Sequence, residues 1–207
     1  MGKLPFASSR RHFIRQMGGV LLALSAPNSS ARSYSGAHWA GTAKQGNDYW
    51  LMFFDELGQI VRQIKLPNRA HGLQQSVLGQ IIICGRRPSS WMVLLQHAEA
   101  YPQWIHAATN RPLSGHCCFS PNGQLIFSAE NALELGQGVI GVWQSDSGQR
   151  INEWPSQGVG PHEILVSQDG LYLWVANGGI LTHPDHGREK LNLNTMASNM
   201  SCLRLMN

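Results

Sequence analysis

His162-Glu-Ile-Leu-Val-Ser-Gln-Asp-Gly170-Leu-Tyr-Leu-Trp-Val-Ala176 is an apolar run, an Asp-Gly turn and a second apolar run. Short runs of this composition, hinged at Asp-Gly, read as the two strands of a β-hairpin. The same plan occurs twice upstream. The first copy is His71-Gly-Leu-Gln-Gln-Ser-Val-Leu-Gly79-Gln-Ile-Ile-Ile-Cys84, and the second is His116-Cys-Cys-Phe-Ser-Pro-Asn-Gly123-Gln-Leu-Ile-Phe-Ser-Ala129. Each copy begins with His, and the copies lie 45 residues (71 to 116) and 46 residues (116 to 162) apart. A repeat of that length, holding four short strands, is the mark of a β-propeller blade. Further runs supply the outer strands: Tyr49–Phe54 with Ile60–Leu66, Trp91–Leu95, and Val139–Ser145 with Arg150–Trp154. Ala98–Ala108 reads at most as a short turn of helix. The predicted fold class is all-β, a β-propeller; a β-sandwich with accidental periodicity is the competing reading. Residues 32–207 suffice for about four blades. Ser201–Asn207 resembles an outer strand without its hairpin partner. The expectation is therefore a truncated propeller, about four blades of a larger ring. Apolar residues such as Trp174 and Leu205 would face water at its ends.

The composition narrows the function classes. Of 207 residues, 43% are hydrophobic and only 14% are charged, which suits a packed core and excludes intrinsic disorder. The net charge of +4 comes from Lys3, Arg10, Arg11 and Arg15; residues 32–207 carry 12 basic and 12 acidic side chains. A balanced domain offers no electrostatic footprint for nucleic acid. No apolar run has the length of a membrane span.

Ser8-Ser-Arg10-Arg11-His-Phe-Ile-Arg15 resembles a bacterial twin-arginine export signal, and Met17–Ala26 suits its weakly hydrophobic region. Residues 1–31 are read as the leader, residues 32–207 as a partial β-propeller domain, and the location as periplasmic. Four cysteines follow the leader. Cys117 and Cys118 are neighbours in a strand, where successive side chains face opposite ways, so a bond between them is not expected. Buried free thiols are the plain reading.

Several blocks are specific enough to carry a family resemblance. They are Arg69-Ala-His71-Gly72, Gly85-Arg86-Arg87-Pro88, Gly115-His116, Phe119-Ser-Pro-Asn-Gly123, Glu130-Asn131, and Gly158-Val-Gly-Pro161-His162-Glu163. The last are Ala176-Asn-Gly-Gly-Ile180, Thr182-His-Pro-Asp185 and Gly187-Arg188-Glu-Lys190-Leu-Asn-Leu-Asn-Thr-Met196. With these the chain resembles the twin-arginine-exported bacterial propellers of the domain-of-unknown-function 1513 family, related to YVTN-type propellers. The resemblance covers essentially the whole chain. It implies a longer full-length protein, of which this chain is the N-terminal portion. The family has no established activity. Its gene neighbourhood implies periplasmic iron-uptake proteins as partners. Ala70 and Cys117 stand where the family pattern has Gly.

The three aligned histidines are the strongest chemical constellation. Residues at one repeat position of the innermost strands form a ring around the propeller axis. His71, His116 and His162 are therefore candidate ligands of a transition-metal ion, since neutral imidazole suits zinc, copper, iron or nickel. The alternative is that each imidazole hydrogen-bonds the next blade's backbone. Arg86 and Arg87 can hold a carboxylate or phosphate, or pair internally with Glu130 or Glu163. Glu130, Asn131, Glu163 and Asn177 are candidate binding residues. So are His183, Asp185, Arg188 and Lys190, in a polar insertion that alternatively closes over its own blade. Gly136-Gln-Gly138-Val-Ile-Gly141 leads into a strand and so does not bind a dinucleotide.

The first functional expectation is a non-enzymatic periplasmic module that binds a metal or a partner, linked to iron acquisition. The alternatives are a metal- or quinone-dependent redox enzyme and a truncated gene product without function.

Overall fold

The computed structural model describes residues 36–186 and 189–205. The leader expected at residues 1–31 lies outside them. No helix among the described residues is long and apolar enough to cross a membrane.

Among the described residues, fourteen strands form four antiparallel sheets, each built from strands consecutive in sequence. The first holds β1 (Trp39–Gln45), β2 (Asp48–Phe54) and β3 (Ile60–Leu66). The second holds β4 (Ala70–Gln75), β5 (Ile81–Gly85), β6 (Trp91–Leu95) and β7 (Gln103–His106). The third runs β8 (Leu113–Phe119), β9 (Leu125–Ala132), β10 (Gln137–Gln144) and β11 (Arg150–Pro155). The fourth holds β12 (Pro161–Val166), β13 (Tyr172–Asn177) and β14 (Asn199–Arg204). These are propeller blades, and the repeat read from the histidines is real: His71, His116 and His162 lie on β4, β8 and β12, the first strands of three consecutive blades.

The core lies between sheets, because each blade's apolar side chains find cover only against the next blade. β2 and β3 bury Leu51, Phe53, Ile64 and Leu66 against Ile81, Ile83, Val93 and Leu95 of the second sheet. The other face of that sheet buries Ile82, Cys84, Met92 and Leu94 against Leu113, Cys117, Phe119 and Ile126. The third sheet packs Phe127, Ile140 and Val142 on Ile164, Leu173 and Val175 of the fourth. Cys117 faces one interface and Cys118 the other, as strand alternation requires. All four thiols are free.

β2 presents Leu51 and Phe53 to its neighbour as β6 presents Met92 and Leu94. β1 is thus the counterpart of β5 and β9, the second strand of a blade. Among the described residues, the innermost position of the first sheet and the outermost of the fourth are unfilled.

Three expectations are corrected. Ala98–Ala108 contains β7 rather than a turn of helix, because Gln103–His106 pairs with Trp91–Leu94 and completes the blade. β1 has no counterpart in the sequence reading, since Trp-Ala-Gly-Thr-Ala-Lys-Gln is poor in strand formers; pairing with β2 along its whole length makes it a strand. Leu205 is only 8% exposed, packed in the core between the third and fourth sheets, whereas Trp174 is 42% exposed as expected.

Candidate metal centre on the inner strands

Each inner strand breaks its ladder at its histidine. The register of β4 shifts between Ala70 and Leu73, that of β8 between Leu113 and Cys117, and that of β12 between Pro161 and Glu163. A bulge re-aims a side chain that strict alternation would direct elsewhere. Glycines permit the strands to close up at this level. A Cβ on Gly72 would lie 2.6 Å from the Gly115 carbonyl oxygen, and Gly115 itself has φ +99°.

As a result the three imidazoles meet. The His71 and His116 ring centroids are 4.7 Å apart, those of His116 and His162 also 4.7 Å, and those of His71 and His162 6.1 Å. One nitrogen from each ring lies within 4.8 Å of the other two. Ligands of one tetrahedral zinc lie roughly 3.3 Å apart at bond lengths near 2.0–2.1 Å. Among the described residues this is the one group of three His, Cys, Asp or Glu side chains with that geometry.

The surroundings suit ligation. His116 Nδ1 stands 3.0 Å from Glu163 Oε2. In the tautomer that donates Nδ1–H to this carboxylate, Nε2 carries a lone pair. Nε2 is buried and has no hydrogen-bond partner. A carboxylate behind the non-coordinating nitrogen is the usual support of a metal-bound histidine. Burial holds all three imidazoles below their ordinary range. The His71 ring is depressed further by His162 and by Arg86, Arg69 and Arg87, and the His162 ring by Arg87. For His116, burial outweighs the opposing pull of Glu163. The rings are therefore neutral, and able to coordinate, at neutral pH.

The other predicted residues are distributed differently. Arg86 and Arg87 do not pair with Glu130 or Glu163: Glu130 is bound to Arg150 at 3.1 Å, and Glu163 faces His116. Glu130 is fully buried in β9, where Ser128 donates a hydrogen bond of 2.5 Å to it. Asn131 is buried as well, its amide donating to Ser114 Oγ at 3.3 Å. Asn177 is an internal tie, donating to the Ser156 carbonyl at 3.0 Å and to Asn199 Oδ1 at 2.8 Å. These three brace the blades from buried positions, with Glu130 Oε2 and Asn131 Oδ1 left without a hydrogen-bond partner. His183 and Asp185 face each other at 3.6 Å in the polar insertion, with Lys190 exposed beyond them. Asn192 ties that loop to its own start, accepting from the Leu181 amide and donating to the Gly179 carbonyl. Arg188 lies outside the described residues.

Burial, opposed by Arg150, pushes the Glu130 carboxyl up to about 7. An unfolded Glu titrates near 4.3, so between about pH 4.5 and 7 the folded state binds the extra proton. Stability then falls as pH rises through that window, by roughly 3 kcal/mol. Glu130→Gln is expected to remove most of this slope and to be more stable than wild type at pH 8. Denaturant unfolding of both proteins at pH 5 and pH 8 checks it.

The family model described as "Protein of unknown function (DUF1513)" matches residues 64–206, a span that includes all three histidines. The chain belongs to that family. None of the curated proteins matches it. Its fold is similar to that of hydrazine synthase from Kuenenia stuttgartiensis, at TM-score 0.53 and 12% identity, covering 74% of this chain and 46% of that one. It is similar also to the β-propeller domain of Cps50 (Swd1) from Myceliophteria thermophila, at TM-score 0.51 and 8% identity, covering 75% and 54%. The chain thus spans about half the length of the solved structures it matches. At these identities the likeness concerns the fold alone.

The sequence points to the three DUF1513 histidines through their common repeat position. It does not reveal the pairing of Glu163 with His116, nor the contribution of Arg69, which precedes the first histidine by two residues. Gly72 and Gly115, each adjacent to one of the histidines, are the available signal that two inner strands approach closely.

Proposed function

We propose that this DUF1513 protein is a metal-binding propeller module that holds one transition-metal ion through His71, His116 and His162. The observation that carries the reading is His116: one ring nitrogen is held by Glu163, and the other is buried, unpartnered and beside two further neutral imidazoles. Leaving such a nitrogen unpaired costs about 1–3 kcal/mol, which a bound ion offsets. Three protein ligands leave at least one coordination position open.

Titration of the full chain with Zn²⁺, Cu²⁺ or Ni²⁺ should reach one equivalent. Binding should weaken as the pH falls below about 6.5, because protonated imidazole cannot coordinate. Absence of any stoichiometric uptake at pH 7.5 contradicts the reading. Glu163→Gln should lower metal affinity about 10–100-fold. The fold should survive, since the Glu163 side chain is 56% exposed. Isothermal titration beside a thermal melt separates the two effects.

The twin-arginine reading of residues 8–15 adds the periplasm to the proposal, and the family's gene setting adds iron-uptake proteins as partners. Cell fractionation after Arg10→Lys with Arg11→Lys tests the first; co-purification with the metal-loaded chain tests the second.

A further inference from the structure

The charge around the three histidines is lopsided. Arg69 immediately precedes β4, and its carbonyl accepts the Arg86 amide at 2.8 Å. That bond brings the Arg86-Arg87 turn beside the residues leading into His71. Arg69 and Arg87 are exposed, and Arg86 is partly so. Arg69 lines one pocket with His71, and the charges of Arg69, Arg86 and Arg87 bear on the His71 ring, that of Arg87 on His162 as well. Among the described residues, Glu163 is the carboxylate that acts on the cluster. A divalent ion held by neutral imidazoles adds two further positive charges. Such a site attracts anions strongly. Guanidinium groups bind carboxylates through paired N–H donors, and a carboxylate oxygen is also a metal ligand.

We propose that the centre takes its metal as a complex with a di- or tricarboxylate, one carboxylate completing the metal's coordination and another held by Arg69 and Arg87. This inference rests on the metal-binding reading above. A ligand bridging both elements needs two anionic groups, which a polycarboxylate has and a monocarboxylate lacks. The arginines are then specificity-determining residues for the metal's co-ligand.

The test is equilibrium dialysis of the full chain with Zn²⁺ and labelled citrate, following both zinc and citrate. Wild type should retain one citrate per zinc, with zinc still on the protein. Arg69→Ala with Arg87→Ala should keep zinc but bind citrate at least about tenfold more weakly. Both side chains are exposed, so the fold should tolerate their loss. Citrate that strips zinc from the protein, or that binds the double variant as well as wild type, overturns the proposal. Equal competition by inorganic phosphate marks a simple field effect and overturns the polycarboxylate assignment. Zinc absent with and without citrate is the separate signature of failure of the metal-binding reading itself.

Discussion

His116→Ala is expected to abolish stoichiometric metal binding while the chain stays folded. The loss should exceed the roughly 10–100-fold cost of removing a carboxylate that only supports a ligand, because a ligand itself is gone. Stability should change little. The imidazole's one described polar partner is Glu163, an exposed carboxylate that water can serve equally well, and its buried Nε2 forms no hydrogen bond to lose. His71→Ala and His162→Ala should behave likewise, each removing a ligand borne by a different blade. If the histidines served instead as backbone staples, the three variants would lose stability and wild type would hold no metal. Metal content by mass spectrometry, read beside circular dichroism of the same samples, distinguishes these outcomes.

Gly72→Val is expected to damage fold and site together. Its Cβ would stand 2.6 Å from the Gly115 carbonyl oxygen and 3.4 Å from His116 Cα. Both are backbone atoms of β8, which cannot swing aside as a side chain can. Forcing added bulk into a packed contact costs about 1–3 kcal/mol. Relief comes only by moving β4 away from β8, which draws His71 away from His116. Metal affinity should therefore fall even under conditions where the variant remains folded. Gly41→Val in β1 is the control, since an added Cβ there meets nothing within 4 Å. Equal melting temperatures and equal metal uptake for the two variants would contradict the close-approach account.

The architecture is legible in the sequence because a propeller writes itself as a repeat. The His-strand-Gly-strand unit and its spacing are enough to place β4, β8 and β12. β1 and β7 are not legible, because pairing with a neighbour, rather than their own composition, makes them strands. The histidines are legible as a set, since equal repeat positions converge on the propeller axis. Their aim is not, because it depends on bulges at Ala70–Leu73, Leu113–Cys117 and Pro161–Glu163 that interrupt simple alternation. Glu130, Asn131 and Asn177 read as binding residues because polar groups in a strand-rich chain suggest function. Their burial, and the bonds each makes inside the protein, give them a bracing role that the sequence does not show.

The most direct test of the central claim is X-ray absorption at the zinc edge of the full chain loaded with one equivalent of Zn²⁺ at pH 7.5. About three imidazole nitrogens are expected at roughly 2.0–2.1 Å, with the outer-shell scattering of histidine rings and a remaining oxygen neighbour. A first shell of oxygen alone, without imidazole scattering, would contradict it.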